Sequence, residues 1–211
     1  MSSFRIAVFA SGQGSNCRAI HDAIVNGKLN AEIALIVSNN PDAGVLAWAF
    51  ENGLTHICIA SEQFEDKKQF HETLLKTLAL HRIQMIVLAG YMKKIGLPLI
   101  EAYPNKILNI HPALLPAFGG KGMYGEHVHK AIIDYGAKIT GVTVHLVDPE
   151  YDHGAIVMQK VLEVSDNDTP QTLAERVLAL EHQTYYQAVQ LFAENKVIVQ
   201  DRKVFLSKNI L

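Results

Sequence analysis

The chain has 211 residues, 49% of them hydrophobic and 19% charged, with a formal net charge of −2 at pH 7. A chain of this size buries roughly 70% of its unfolded surface, so it needs neither disulfides nor metal for stability, and its composition is that of a soluble globular domain, not a disordered segment. No basic excess suggests nucleic acid or an anionic membrane surface, no run of about 18 apolar residues supplies a membrane span, and any anionic ligand must therefore be held by a local site.

Residues 4–10 (FRIAVFA) read as a first strand that follows Met1-Ser2-Ser3 directly, without the longer apolar core of a signal peptide. Ser11-Gly12-Gln13-Gly14-Ser15-Asn16 then forms a glycine-rich turn into a helix running to about residue 26, with Ile20, Ala23 and Ile24 facing inward. A strand, a tight turn and a helix amino terminus aim exposed N–H groups and the helix dipole at one spot, which suits an anion. The turn is not a dinucleotide fingerprint: the third glycine falls on Cys17, and the next strand ends in Ser38-Asn39-Asn40 without a ribose-binding acid. No lysine follows it as in a nucleoside triphosphate loop. A seat for one phosphate is the expectation, and a helix cap without ligand the alternative. Cys17 and Cys58 lack metal-type partners and read as reduced core residues of a cytoplasmic protein, with a nucleophilic Cys17 the lesser alternative.

A second strand covers about 31–37, and Asn40-Pro41 reads as a cap and first turn of a helix carrying Val45, Leu46, Ala49 and Phe50, with Trp48 a packing residue. The third strand is about 55–59. A helix over about 64–80 follows, with Phe70, Leu74, Leu75 and Leu78 at helical spacing and Glu65 to Lys68 as its solvated first turn. Strand four, Met85 to Ala89, ends at Gly90-Tyr91-Met92-Lys93-Lys94-Ile95. Met92 and Ile95 suit either ordinary core packing or the apolar rim of a site for a flat aromatic ligand.

Strand five, from Lys106, places Asn109 and His111 on one face, two residues apart, and ends at Pro112, which cannot donate to a sheet ladder. An amide donor beside an imidazole at a strand's carboxyl end suits a reaction in which a carbonyl oxygen gains charge and a proton moves. A glycine-rich, mobile loop over Ala117 to Gly125 precedes a helix with Val128, Ala131, Ile132 and Tyr135 on one face and Gly136 as its stop. His127 and His129 point apart on that helix, as surface or loop-anchoring residues. Strand six, Gly141 to Val147, puts Thr143 and His145 on one face. The turn Asp148 to Gly154 brings Asp152 back toward His111, where an anion favours the protonated ring, unless the residue only caps the turn. Strand seven runs from Ala155 to about Val164. Thr169-Pro170 opens a long helix to about 193 with Leu173, Val177, Leu180 and Thr184 in a stripe, and a closing β-hairpin follows. The expectation is one domain over 1–211: an α/β, doubly wound, mostly parallel seven-stranded sheet with a C-terminal long helix and β-hairpin.

Over nearly its whole length the chain resembles the phosphoribosylglycinamide formyltransferase family. The resemblance rests on Ser11-Gly-Gln-Gly-Ser-Asn16, Leu88-Ala-Gly-Tyr-Met92, Leu108-Asn-Ile-His-Pro-Ala-Leu-Leu-Pro116, Val142-Thr-Val-His145 and Asp152-His-Gly154, in the family's order and spacing. It implies that Gly14, Ser15 and Asn16 hold a ribonucleotide phosphate and Glu181 the ribose hydroxyls. Met92, Lys93 and Ile95 would line a pteridine pocket, with Lys67 near the folate and Asn109 at its formyl group. Asn109, His111 and Asp152 would be catalytic, with Thr143 and His145 in support. The implied reaction is direct attack of the amine of glycinamide ribonucleotide on the formyl carbon of 10-formyltetrahydrofolate, without metal or covalent enzyme intermediate. The implied protein is a cytoplasmic monomer or homodimer that binds these two small molecules and neither nucleic acid nor membrane. Lys93 stands where many relatives carry arginine, and the loop from Phe118 to Gly125 is longer than in some. Rival readings are a formyltransferase acting on another amine, such as that of methionyl-tRNA or an amino sugar nucleotide, a formyl-folate hydrolase, and a non-catalytic phosphometabolite-binding module. Against the first two, the chain ends soon after the long helix and carries no separate amino-terminal regulatory domain.

Overall fold

The computed structural model describes residues 3–207. Seven strands, β1 (Phe4–Phe9), β2 (Ala31–Ser38), β3 (His56–Cys58), β4 (Met85–Leu88), β5 (Ile107–His111), β6 (Ile139–Leu146) and β7 (Ile156–Glu163), form one sheet in the order β3-β2-β1-β4-β5-β6-β7. The chain divides between Leu108 and Asn109 into two compact units.

In the first unit, β1 lies between β2 and β4 and is parallel to both, while β2 pairs in parallel with β3. Ile6 to Ala10 and Met85 to Val87 have no exposed surface, as expected of parallel strands covered on both faces, which is why they are continuously apolar. Helices α1 (Ser15–Val25), α2 (Gly44–Glu51), α3 (Lys67–Leu80) and α4 (Leu97–Ala102) connect them, with a 3-10 turn over Ser61–Gln63. The order reverses at β1: its carboxyl end and that of β4 flank the crevice where open α/β sheets take ligands.

Several local expectations are corrected here. Asn40 does not cap α2; its Oδ1 accepts from the Asp42 amide at 3.1 Å, folding Asn40-Pro41 into a turn, and the cap position is Ala43. Of that helix's apolar residues only Val45 and Ala49 are buried, whereas Phe50 is 74% exposed. Trp48 lies under the Arg18 guanidinium, 5.4 Å from the ring centroid, with His21 edge-on at 5.4 Å. Helix α3 begins at Lys67 because Asp66 accepts from the Gln69 amide at 2.8 Å and caps it. Helix α4 was not anticipated, although Pro98 in its first turn and buried Leu99 are visible in the sequence.

In the second unit, β6 and β7 pair antiparallel, as the short turn between them requires. Helix α5 (Glu126–Tyr135) ends at left-handed Gly136, and α6 (Pro170–Ala193), capped by Thr169, packs on α5, β6 and β7. Strands β8 (Val197–Gln200) and β9 (Lys203–Leu206) form the expected hairpin. On α5 the buried residues are Val128, His129 and Ile132; Tyr135 faces solvent, and His129 is a core residue, not a surface one. On α6 the buried stripe passes through Glu181 and Tyr185 in place of Leu180.

Candidate functional site

In the first unit, the turn after β1 and the segment after β4 are stitched together at Ser11. Its amide donates to the Gly90 carbonyl at 3.1 Å and its Oγ accepts from the Met92 amide at 2.8 Å. Its hydroxyl donates to Asn39 Oδ1 at 2.5 Å. The Val45 amide donates to the Gly12 carbonyl at 3.1 Å, so α2 holds the turn from the other side. Gly14, at φ 73°, occupies the N-cap position of α1, and a Cβ there would overlap Val45. As a glycine, the N-cap residue gives α1 no side-chain cap of its own, and a helix amino terminus after a tight turn has anion-binding character. Ser15 starts the helix and Asn16 is buried within its first turn. Cys17 is fully buried, and burial pushes its thiol up to about 12, which excludes a thiolate nucleophile.

The residues expected around a flat ligand lie in the same unit. Met92 is 58% exposed and Ile95 buried. Lys93 Nζ is 3.2 Å from Glu62 Oε1, an ion pair that the sequence did not suggest. Lys67 is exposed at the start of α3. Burial, helped by the charge of Glu62, raises the Tyr91 hydroxyl to about 12, so it remains protonated.

The second unit gathers the polar residues of β5, β6 and the turn after β6. Asn109 Nδ2 donates to His145 Nε2 at 3.1 Å, and His145 Nδ1 donates to the Leu146 carbonyl at 2.8 Å. That pair of bonds requires the ring proton on Nδ1 and sets which way the Asn109 amide faces. Asp152 Oδ1 is 3.6 Å from His145 Nε2, and its Oδ2 is 3.5 Å from His111 Nδ1. The other ring nitrogen of His111, Nε2, donates to the Phe118 carbonyl at 2.7 Å. The Gly120 amide donates to Asp152 Oδ2 at 2.9 Å. The loop after Pro116 is therefore seated on both the imidazole and the carboxylate through backbone groups, which side-chain reading of the sequence does not register. A Cβ on Gly119 would meet the end of the Leu115 side chain and come within 3.3 Å of Asp152 Cβ, so a larger residue there must displace both side chains.

Thr143 is fully buried; its Oγ1 donates to the Ala113 carbonyl at 2.7 Å and accepts from the Leu115 amide and Gln159 Nε2, each at 3.0 Å. It fixes the course of the chain just beyond His111. Glu181 is buried on α6, 8% exposed.

Burial lowers the pKa of His111; the Asp152 charge and the Phe118 carbonyl act in the opposite sense and are outweighed. The expected effect of the carboxylate is thus present, but the resting ring is shifted toward its neutral form. For Asp152, burial alone would raise the pKa, but contact with His145, the charge that His111 bears when protonated and the Gly120 amide together hold it below the usual value. The arrangement is a carboxylate whose pKa is held low against a buried imidazole whose pKa is also lowered, with an oriented amide beside them. Among the described residues, no group of three or more His, Cys, Asp or Glu side chains is placed to hold a metal ion, and no helix is long and apolar enough to cross a membrane.

The formyl transferase family model matches residues 4–189. A chloroplastic phosphoribosylglycinamide formyltransferase of Arabidopsis thaliana is 41% identical over 206 residues, covering 97% of this chain and 70% of that protein. The phosphoribosylglycinamide formyltransferase of Bacillus subtilis is 39% identical over 181 residues, covering 86% and 90%. Among solved structures, glycinamide ribonucleotide transformylase 1 from Symbiobacterium toebii superposes with a TM-score of 0.91 at 34% identity, covering 98% of this chain and 95% of that one. The fold, the match over residues 4–189 and these identities together make this chain a member of the formyl transferase family.

Proposed function

We propose that this protein transfers the formyl group of 10-formyltetrahydrofolate to the amine of glycinamide ribonucleotide, a step of purine biosynthesis. The family implies a folate-type formyl donor, and the particular donor and acceptor are part of the proposal. The observation that carries it is the contact of Asp152 with both His111 and His145, with Asn109 tied to the same cluster.

In this reading the substrate amine attacks the formyl carbon, a C–N bond forms, and the bond from that carbon to the folate nitrogen breaks. The Asn109 Nδ2 carries two hydrogens. One is held by His145, leaving the other to stabilise the formyl oxygen as it gains charge. His111 has Nε2–H committed to the Phe118 carbonyl, so Nδ1 is the nitrogen that takes the amine proton and passes it to the departing folate nitrogen. Asp152 Oδ2 stands 3.5 Å from that nitrogen and stabilises the imidazolium while it exists. Gly14, Ser15 and Asn16 hold the ribonucleotide phosphate at the uncapped start of α1, and Glu181 takes the ribose hydroxyls. Met92, Lys93, Ile95 and Lys67 contact the folate. An anionic group reaching Lys93 exchanges with Glu62 for its charge. Thr143 and His145 hold the backbone and the amide in place. The match across residues 4–189 supports treating 1–211 as one formyltransferase domain, acting in the cytoplasm as a monomer or homodimer.

The test is a formyl-transfer assay comparing glycinamide ribonucleotide with its phosphate-free form. Loss of at least about 10² in kcat/KM without the phosphate is expected from an anion site of this kind. Equal use of both forms, or preference for another amine, refutes the assignment.

A further inference from the structure

The turn that carries Asp152 borders a cavity of about 480 Å³ whose lining includes Leu115, Pro116, Asp152, Ile156, Val204 and Phe205. Across it reaches Arg202, from the tip of the β8–β9 hairpin. Its Nη2 donates to the His153 carbonyl at 2.7 Å, and its Nη1 meets Nε2 of the same residue's ring. The opposite ring nitrogen, Nδ1, lies 2.6 Å from Asp148 Oδ2. With the ring proton on Nδ1, both contacts are satisfied: Nδ1 donates to Asp148 and Nε2 accepts from Arg202. Asp148, His153 and Arg202 thus form a chain with a charge at each end, fastened to the residue that follows Asp152. Asp152 itself has φ 52°, a left-handed conformation that a non-glycine residue keeps when its surroundings hold it there.

We infer that Arg202 is a positioning residue for the formyl-transfer site: by pinning residue 153 across the cavity, it holds the Asp152 carboxylate at its working distance from His111. Without it the turn has open space to move into, and the hairpin loses the bonds that Arg202 makes to the turn. This rests on the role given to Asp152 above.

The experiment is a cycle of Arg202→Ala, Asp152→Asn and the double variant, measured by steady-state formyl transfer and thermal unfolding. Arg202→Ala is expected to lower kcat roughly tenfold, less than the about 10² that a 1 Å misplacement costs, with KM for the amine substrate changed less than about twofold. Arg202→Lys, which keeps the charge on a single donor nitrogen, should recover part of the loss and serves as the probe if the alanine variant unfolds. In the Asp152→Asn background, Arg202→Ala should cost less than about twofold more, because the group it positions is already disabled. A wild-type kcat for Arg202→Ala, or the same tenfold loss in both backgrounds, overturns the inference. If Asp152→Asn alone keeps wild-type turnover, it is the reading of the site that fails.

Discussion

Asp152→Asn keeps the shape of the side chain and an acceptor for the Gly120 amide, and removes only the charge 3.5 Å from His111 Nδ1. Opposite charges about 4 Å apart attract by roughly 4 kcal/mol at an effective dielectric near 20. The two side chains are only 4% and 12% exposed, so little solvent screens them. If about two thirds of that attraction is felt while the imidazole carries the transferred proton, the barrier rises by about 2.7 kcal/mol and turnover falls by about 10². Steady-state formyl transfer measures the fall, and calorimetric titration with glycinamide ribonucleotide should show binding within about threefold of the wild type, since the proposed phosphate seat is at the start of α1. The same substitution has a second readout of known sign. The Asp152 charge raises the pKa of His111 against the lowering by burial, so removing it must move the His111 titration, followed by NMR, further below 6.5. Near-wild-type turnover in both Asp152→Asn and His111→Ala, or a His111 titration that moves upward, would refute the reasoning.

The pH dependence of the wild type follows from the same shift. Because His111 is held below 6.5 in the fold, chiefly by burial, its proton-accepting form persists to lower pH, and the acid limb of kcat/KM is expected below 6.5; a midpoint above 7 contradicts it. Protonation of the ring favours the unfolded chain, so stability falls as pH drops from about 6.5 to the folded value. Thr143→Val leaves the Leu115 amide and Ala113 carbonyl without their buried partner and should cost about 2–4 kcal/mol in urea unfolding, with Thr143→Ser less than half as costly. Gly14→Ala combines a left-handed φ with overlap on Val45 and should cost about 2–4 kcal/mol. Gly12→Ala, where a Cβ meets nothing within 4 Å, should cost less than about 1 kcal/mol.

By itself the sequence determined the periodic parts of this protein and the residue types of the proposed chemistry. The apolar runs FRIAVF and MIVL specified buried parallel strands, Thr169-Pro170 marked the start of α6, and Pro112 set the end of the strand carrying Asn109 and His111. These features are legible because period, capping and proline chemistry act between residues close in the chain. Where the signal was an apolar count without a direction, as at Phe50, Tyr135 and Leu180, the sequence misassigned the buried face, since packing against a neighbouring element decides which side of a helix turns inward. Only the tertiary structure decided that Asp152 contacts both His111 and His145, that the Phe118 carbonyl and Gly120 amide complete the cluster, and that Arg202 reaches His153. These contacts join residues distant in the chain, several through backbone groups that every residue carries, and the charge state of His111 depends on how far burial outweighs a neighbouring anion. That balance is a property of three-dimensional surroundings, to which residue identity alone gives no access.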